Sequence, residues 1–151
     1  METLYKQTTV ADKTLPAVFP GRFDSTEPRF DLHYQIVLRV ADESNPIEEK
    51  WRLHFYKYLS NCVKICGGSV EVMSGSPDRV HLLIALRATK ALADFLRELK
   101  LLSKTWVRRK KQISQFAWQN EIEAYTVSST QREQVKSYIR RQGAYFKLRG
   151  A

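Results

Sequence analysis

Four side chains combine residue types and spacings that suit phosphate chemistry. Arg79 and His81 stand two residues apart in Arg79-Val80-His81-Leu82-Leu83-Ile84. That run alternates like a strand, where residues i and i+2 share a face about 6–7 Å apart. An imidazole nitrogen there can ligate a cation or carry a proton. A guanidinium has five donors and no accessible lone pair, so it holds a phosphate through its planar fork and cannot ligate a cation. Tyr138 and Gln142 are four apart in a segment with helical periodicity. A phenolic oxygen able to attack phosphorus and an amide oxygen able to act as a hard ligand would then share one helix face. His81, Tyr138 and Gln142 also have ordinary readings, as a half-buried strand histidine, a surface tyrosine and an exposed helix glutamine.

The charge distribution fits a polyanionic partner. The net charge is +9 over 151 residues. Residues 1–86 carry ten Lys or Arg against eleven acids, residues 87–111 nine against two, and residues 132–151 six against one. An excess packed into two segments favours nucleic acid over a generally basic surface, although a charge cluster can equally be a solvated face. The first segment holds Arg97 and then Lys100, Lys104, Arg108 and Lys111, spaced as a stripe along a helix that ends in the dense cluster Arg108, Arg109, Lys110 and Lys111; the second holds Arg140 and Arg141. No apolar run reaches the ~18 residues of a membrane span. No charged-then-apolar leader opens the chain, so a cytoplasmic, nucleoid-associated protein is expected. Cys62 and Cys66 have no second Cys or His pair to complete a zinc site and are expected to be buried thiols.

The elements that must position these residues can be read in order. Residues 1–31, with Pro16, Pro20, Gly21 and Pro28, show no periodicity and are expected to form an extended or poorly ordered arm before a single domain over 32–151. His33–Val40 alternates as a strand. Ser44-Asn45-Pro46 is expected to start a helix running to about Ile65, ended by Gly67-Gly68. Strands follow at Ser69–Met73 and Arg79–Leu86, joined by a Gly75-Ser76-Pro77-Asp78 turn. Thr89 is expected to cap a helix with Leu92, Phe95, Leu96, Leu99, Leu102 and Trp106 on its core face. A short strand at Ala124–Val127 precedes a last helix, capped by Ser128 or Ser129, that carries Val135, Tyr138, Ile139 and Gln142. The order β-α-β-β-α-β-α suits an α+β fold: a ferredoxin-like four-stranded antiparallel sheet with helices on one face, plus the C-terminal helix.

Three stretches in this order resemble one family. Pro77-Asp78-Arg79-Val80-His81-Leu82-Leu83 is similar to the strand that carries the His-hydrophobic-His (HUH) motif of single-tyrosine transposases. Phe116-Ala117-Trp118-Gln119, followed by Tyr125-Thr126-Val127-Ser128, resembles that family's Trp-Gln and aromatic-x-Val-Ser stretches. Tyr138-Ile139-Arg140-Arg141-Gln142 resembles its Tyr-Ile-x-x-Gln helix. The resemblance covers roughly residues 33–146, and within the family the pattern looks like the REP-associated type.

The resemblance implies Tyr138 as nucleophile, His81 and Gln142 as ligands of a divalent magnesium or manganese ion, and a 5′-phosphotyrosine intermediate with a free 3′-hydroxyl. It also implies single-stranded or hairpin DNA as partner and a homodimer in which the tyrosine helix can serve either subunit. Arg79 and the basic residues at 97–111 and 140–141 are the expected DNA contacts, and Trp106 or Trp118 could stack on bases, with core packing favoured for Trp106. Arg79 stands where the family has a histidine. Two outcomes are open: metal-dependent cleavage is lost and binding remains, with no cofactor, or Arg79 replaces the ion at the phosphate. Rescue of the ligand set by His33, on the same polar face, is a lesser option. Gly143-Ala144-Tyr145-Phe146 replaces a Glu-x-His-His stretch, and Asn120–Glu123 replaces a glycine-containing loop. The alternative class is a non-catalytic single-stranded nucleic-acid binder. An RNA-recognition motif shares the topology, but its aromatic signature is missing from every strand.

Overall fold

The computed structural model describes residues 30–147, so the arm expected over 1–31 lies outside the described residues except for its last two positions. The elements are β1 (His33–Arg39), α1 (Glu49–Ile65), β2 (Gly68–Ser76), β3 (Arg79–Leu86), α2 (Leu92–Lys110), β4 (Glu123–Thr126), α3 (Arg132–Arg140) and β5 (Ala144–Phe146). All strand pairs are antiparallel, in the order β4-β1-β3-β2-β5. The first four strands, with α1 and α2 as connections, make the expected ferredoxin-like arrangement. β5 is an addition, a fifth strand on the outer edge of β2.

Alternation along the strands separates two apolar layers. Ile36 and Leu38 of β1 and Val80, Leu82 and Ile84 of β3 face α1 and α2, where Phe55, Tyr56, Leu59, Phe95 and Leu99 complete the main core. The aromatic residues there pack as a group. The Phe55 ring lies 5.9 Å from Trp106 and 6.1 Å from both Phe116 and Trp118, and Trp51 stands edge-on at 5.7 Å.

On the opposite face, Val72, Leu83 and Val127 meet Ile139 of α3, with Val135 packed beside them. The helices therefore cover both faces, not one. Leu83 and Val72 leave an apolar patch on the otherwise polar side, and α3 closes it. A nine-residue helix is marginal alone. Burying several aliphatic side chains at about 1.5–3 kcal/mol each is what holds it in place.

β2 contributes to both cores by alternation and carries a bulge on the way. Its register with β3 runs Val70↔Ile84 and then Val72↔Leu83, so Glu71 is the extra residue. Val70 and Met73 contact the main core, while Val72 joins the smaller one.

Several element ends differ from the sequence expectation. α1 starts at Glu49, with Glu48 as N-cap, rather than at Pro46. Ile47 is fully buried and its N–H donates to the Pro77 carbonyl at 2.8 Å, which holds residues 44–48 out of the helix against the β2–β3 turn. The Ser44 hydroxyl accepts from the Ala117 N–H instead of capping. At the other end Cys66 caps and Gly67, at φ +107, turns the chain. α2 is capped by Ala91, and Thr89 sits in the preceding turn.

α3 begins after Gln131 and ends at Arg140, because Arg141 is its C-cap. Gln142 thus lies past the helix end and not within it as the sequence suggested. Gly143, at φ +130, then reverses the chain into β5. Cys62 and Cys66 are buried free thiols, as expected, and burial pushes the Cys62 thiol up to about 11.

Candidate functional site

The face under α3 collects the residues whose chemistry the sequence singled out. β3 directs Arg79, His81 and Leu83 to this side, and its register aligns His81 with Val37 of β1 and Ser74 of β2. Ser74 and Ile139 set the height of the helix over the strand: the buried Ser74 hydroxyl donates to the Ile139 carbonyl. Tyr138, one residue earlier, then stands with its ring edge-on to the His81 imidazole, 6.3 Å between centroids and 83° between planes. Tyr138 is partly exposed and His81 is buried.

Two guanidiniums flank the imidazole. Arg39 and Arg79 are direct cross-strand partners, and each is answered by a carboxylate. Arg79 holds Asp78 in a two-pronged pair, Nε to Oδ1 at 3.2 Å and Nη2 to Oδ2 at 3.0 Å, while the Ser76 hydroxyl donates to the same Oδ1 at 2.6 Å. These hydrogen bonds, Arg79 first, hold the Asp78 carboxyl down at about 2. Arg39 Nη2 donates to both Glu123 oxygens at 3.2 Å. Arg39 and Glu123 were not among the residues singled out from sequence. The signal of Arg39 was the polar alternation of the first strand and that of Glu123 its place in the Asn120–Glu123 segment, and neither says anything of cross-strand neighbours.

His81 titrates below an ordinary histidine, through burial first and then the nearby Arg79 and Arg39, with Glu123 and Asp78 opposing. Its Nδ1 is buried without a hydrogen-bond partner among the described residues. The folded state therefore favours the neutral ring. The associated stability is complete above pH ~6.5, the ordinary histidine value. It is lost as the pH falls through the lower folded value, because the unfolded chain takes up the proton first. We expect a loss of stability approaching 1.4 kcal/mol per pH unit, about one proton's worth, in that window. Chemical denaturation of wild type and His81→Gln across pH 5–8 checks it; equal slopes in the two proteins would refute the assignment.

The donors present do not suit a divalent cation. His81 is the single imidazole of the cluster, with two guanidiniums beside it. Gln142 lies past the helix end, and its amide nitrogen donates to the Tyr138 carbonyl at 3.2 Å. No group of three His, Cys, Asp or Glu is placed to hold a metal among the described residues. His33 does not supply the missing ligand. It pairs with Ala85, four residues along β1 from the partner of His81, a separation of about 13 Å. Its Nε2 lies 2.7 Å from Glu71 Oε1 and its Nδ1 lies 3.1 Å from Arg132 Nη2. Glu71 also faces Lys136 at 3.7 Å, so the bulge residue ties the first turns of α3 to the sheet.

The expected DNA contacts fall into two groups that the fold does not bring together. Arg79, Arg140 and Arg141 belong to β3 and the end of α3, with the Arg140 guanidinium over the Tyr145 ring at 5.8 Å. The stripe at 97–111 belongs to α2 and its C-cap, in the layer on the opposite face. Part of it serves the protein itself. Lys100 Nζ donates to the Gln119 carbonyl at 2.6 Å, and Arg108 Nε to the Phe116 carbonyl at 2.9 Å. Arg97 pairs with Asp94, and Lys111 donates to His54 Nδ1 and lies over the Trp106 ring. Lys104, Arg109 and Lys110 keep ammonium or guanidinium groups without such partners among the described residues. Trp118 is not available for base stacking. It is buried, and its indole N–H donates to the Ser103 hydroxyl at 2.9 Å. Trp106 and Trp51 are also buried. No helix among the described residues is long and apolar enough to cross a membrane.

Comparison with known proteins agrees with this arrangement. The solved structure of a candidate transposase from Deinococcus radiodurans R1 superposes with a TM-score of 0.61 at 20% identity, covering 83% of this chain and 98% of that one. A REP-associated tyrosine transposase bound to a REP hairpin superposes with a TM-score of 0.54 at 10% identity, covering 75% of this chain and 68% of that one. Both likenesses are of fold. No curated protein sequence matches significantly. The model of the IS200-like transposase family matches residues 28–142. With that match spanning most of its length, the chain belongs to the IS200-like transposase family.

Proposed function

We propose that this protein binds single-stranded or hairpin DNA on the α3 side of its sheet and has lost the metal-dependent cleavage that its family resemblance implies. The observation that carries the reading is the Arg79–His81–Tyr138 cluster. A tyrosine is set edge-on to a neutral histidine, with a guanidinium where a second imidazole would complete a ligand pair. Arg79 takes the phosphate by exchanging one anion for another. Its pair with Asp78 is half-exposed and therefore weak, and a phosphate offers the same two-pronged geometry. Arg140 and Arg141 add positive charge at the end of α3, and Lys104, Arg109 and Lys110 offer further phosphate contacts on the other face. The hairpin held by the similar REP-associated protein supports DNA as the partner class. The reading includes a homodimer and a location on nucleoid DNA in the cytoplasm.

The test is binding of a labelled DNA hairpin with a single-stranded flank, in chelator and in manganese, followed by a denaturing gel. Equal affinity in both conditions and no covalent adduct are expected. Arg79→Ala should weaken binding roughly tenfold and lower the salt slope by about one phosphate contact. A wild-type adduct abolished by Tyr138→Phe overturns the loss of cleavage. Absence of hairpin binding overturns the reading itself.

A further inference from the structure

We infer that the cleft between α3 and the β1–β4 pair is a pocket for one unpaired nucleobase, adenine by its hydrogen-bonding pattern, on the strand whose phosphate lies at Arg79. The inference rests on the DNA-binding reading and deepens it by assigning a base-reading subsite. The cleft has a volume of about 460 Å³ and is lined by Gln35, Tyr125, Gln134, Val135 and Tyr138. Gln35 and Tyr125 are cross-strand partners, hence neighbours on one face of the sheet. Gln134, Val135 and Tyr138 close the cleft from one side of α3. Tyr125 and Tyr138 are 54% and 44% exposed, so two large rings lie open to solvent with no role in either core. Neither glutamine amide has a hydrogen-bond partner among the described residues.

Aromatic walls with a few unspent polar groups are what a flat heteroaromatic ligand requires. A base stacks its face on Tyr125 whatever its identity, while its edge must satisfy donors and acceptors. A carboxamide offers one acceptor and one donor side by side. Every unpaired base offers one such pair, but adenine offers one on each of two edges, its N6 amino group standing between N1 and N7, so both glutamines can engage it at once where thymine, with a single N–H, satisfies only one. Position links the cleft to DNA in particular. Tyr138 is a wall shared with the Arg79–His81 cluster, and Gln35 is two residues, about 6–7 Å, along β1 from the partner of His81. Gln35 lies four residues, about 13 Å, along β1 from Arg39, the partner of Arg79, so a strand with one phosphate at Arg79 brings a base further along it over the cleft. Arg140 and Arg141 at the end of the helix above it add positive charge for that strand.

The test uses hairpins with an all-thymine flank in which a single adenine is moved one position at a time, and the same series with 2-aminopurine. Wild type should prefer adenine at one position by about tenfold, with quenched 2-aminopurine fluorescence at that position. Gln35→Ala and Gln134→Ala should each erase most of the preference. Tyr125→Leu should remove the quenching. All three residues are at least partly exposed, so the variants test recognition and not folding. Hairpin binding with no positional preference, or a preference that survives both glutamine variants, overturns the pocket alone. Absence of hairpin binding overturns both the pocket and the DNA-binding reading.

Discussion

Arg79→His is expected to give the protein a manganese-dependent adduct with single-stranded hairpin DNA, on the order of a hundredfold or more above the wild-type background. The substitution makes two changes that act together. It removes the stronger-acting of the two cations that lower the titration of His81, and it places a second imidazole two residues away on the same face of β3. The tyrosine already stands beside that face, edge-on to His81. In the resulting step the Tyr138 oxygen bonds to phosphorus as the bond to the 3′-oxygen breaks, leaving a 5′-phosphotyrosine and a 3′-hydroxyl. Arg79→His combined with Tyr138→Phe should form no adduct. If Arg79→His binds manganese yet leaves DNA intact, the loss of activity resides elsewhere, with Gln142 beyond the end of α3 the first place to look. The measurement is a time course on a denaturing gel, with chelator as the control.

The largest stability effect is expected at Gly143. Its φ of +130 is open to glycine and strained for other residues, and a Cβ built there would overlap the Gly75 carbonyl of β2. Gly143→Val cannot keep both the turn and the approach of β5 to β2. We expect a loss of about 3 kcal/mol, seen as a fall in Tm of roughly 10 °C. The damage should be uneven. Amides of β5 and the end of α3 should lose hydrogen-exchange protection, while β1 and β3 retain theirs. Hairpin binding should weaken too, because Arg140 and Arg141 sit on the segment that is released. An unchanged Tm would show that the chain can turn here without the glycine.

Legibility followed the length of each pattern. The third strand alternates over eight residues and α2 repeats over nineteen, so both could be read directly from the sequence. The pairing of His81 with the tyrosine helix rested on motif order, and the structure places them on one face. β5 was not legible. Three residues cannot display a period, and their pairing depends on the Gly143 turn and on a β2 edge left open by the other strands. The start of α1 was misplaced because Ile47 has a tertiary partner, the Pro77 carbonyl, that overrides a good capping sequence. Counting charges could not separate Lys100 and Arg108, which hold backbone carbonyls, from Lys104 and Arg109, which do not. Trp118 had two plausible uses, and the Ser103 hydroxyl that settles it lies fifteen residues away.

The bulge in β2 makes the sheet tolerant of a change in length at one place. Removing Glu71 would leave Val70 opposite Ile84, Val72 opposite Leu83 and Met73 opposite Leu82, each still on its present side. An in-frame deletion there would straighten the ladder and leave both cores with the same occupants. It would take away the carboxylate that faces His33 and Lys136. A single codon gained or lost can therefore tighten or slacken the tyrosine helix without disturbing the body of the fold, a route by which descendants of one ancestral sheet could differ in how firmly they hold that helix.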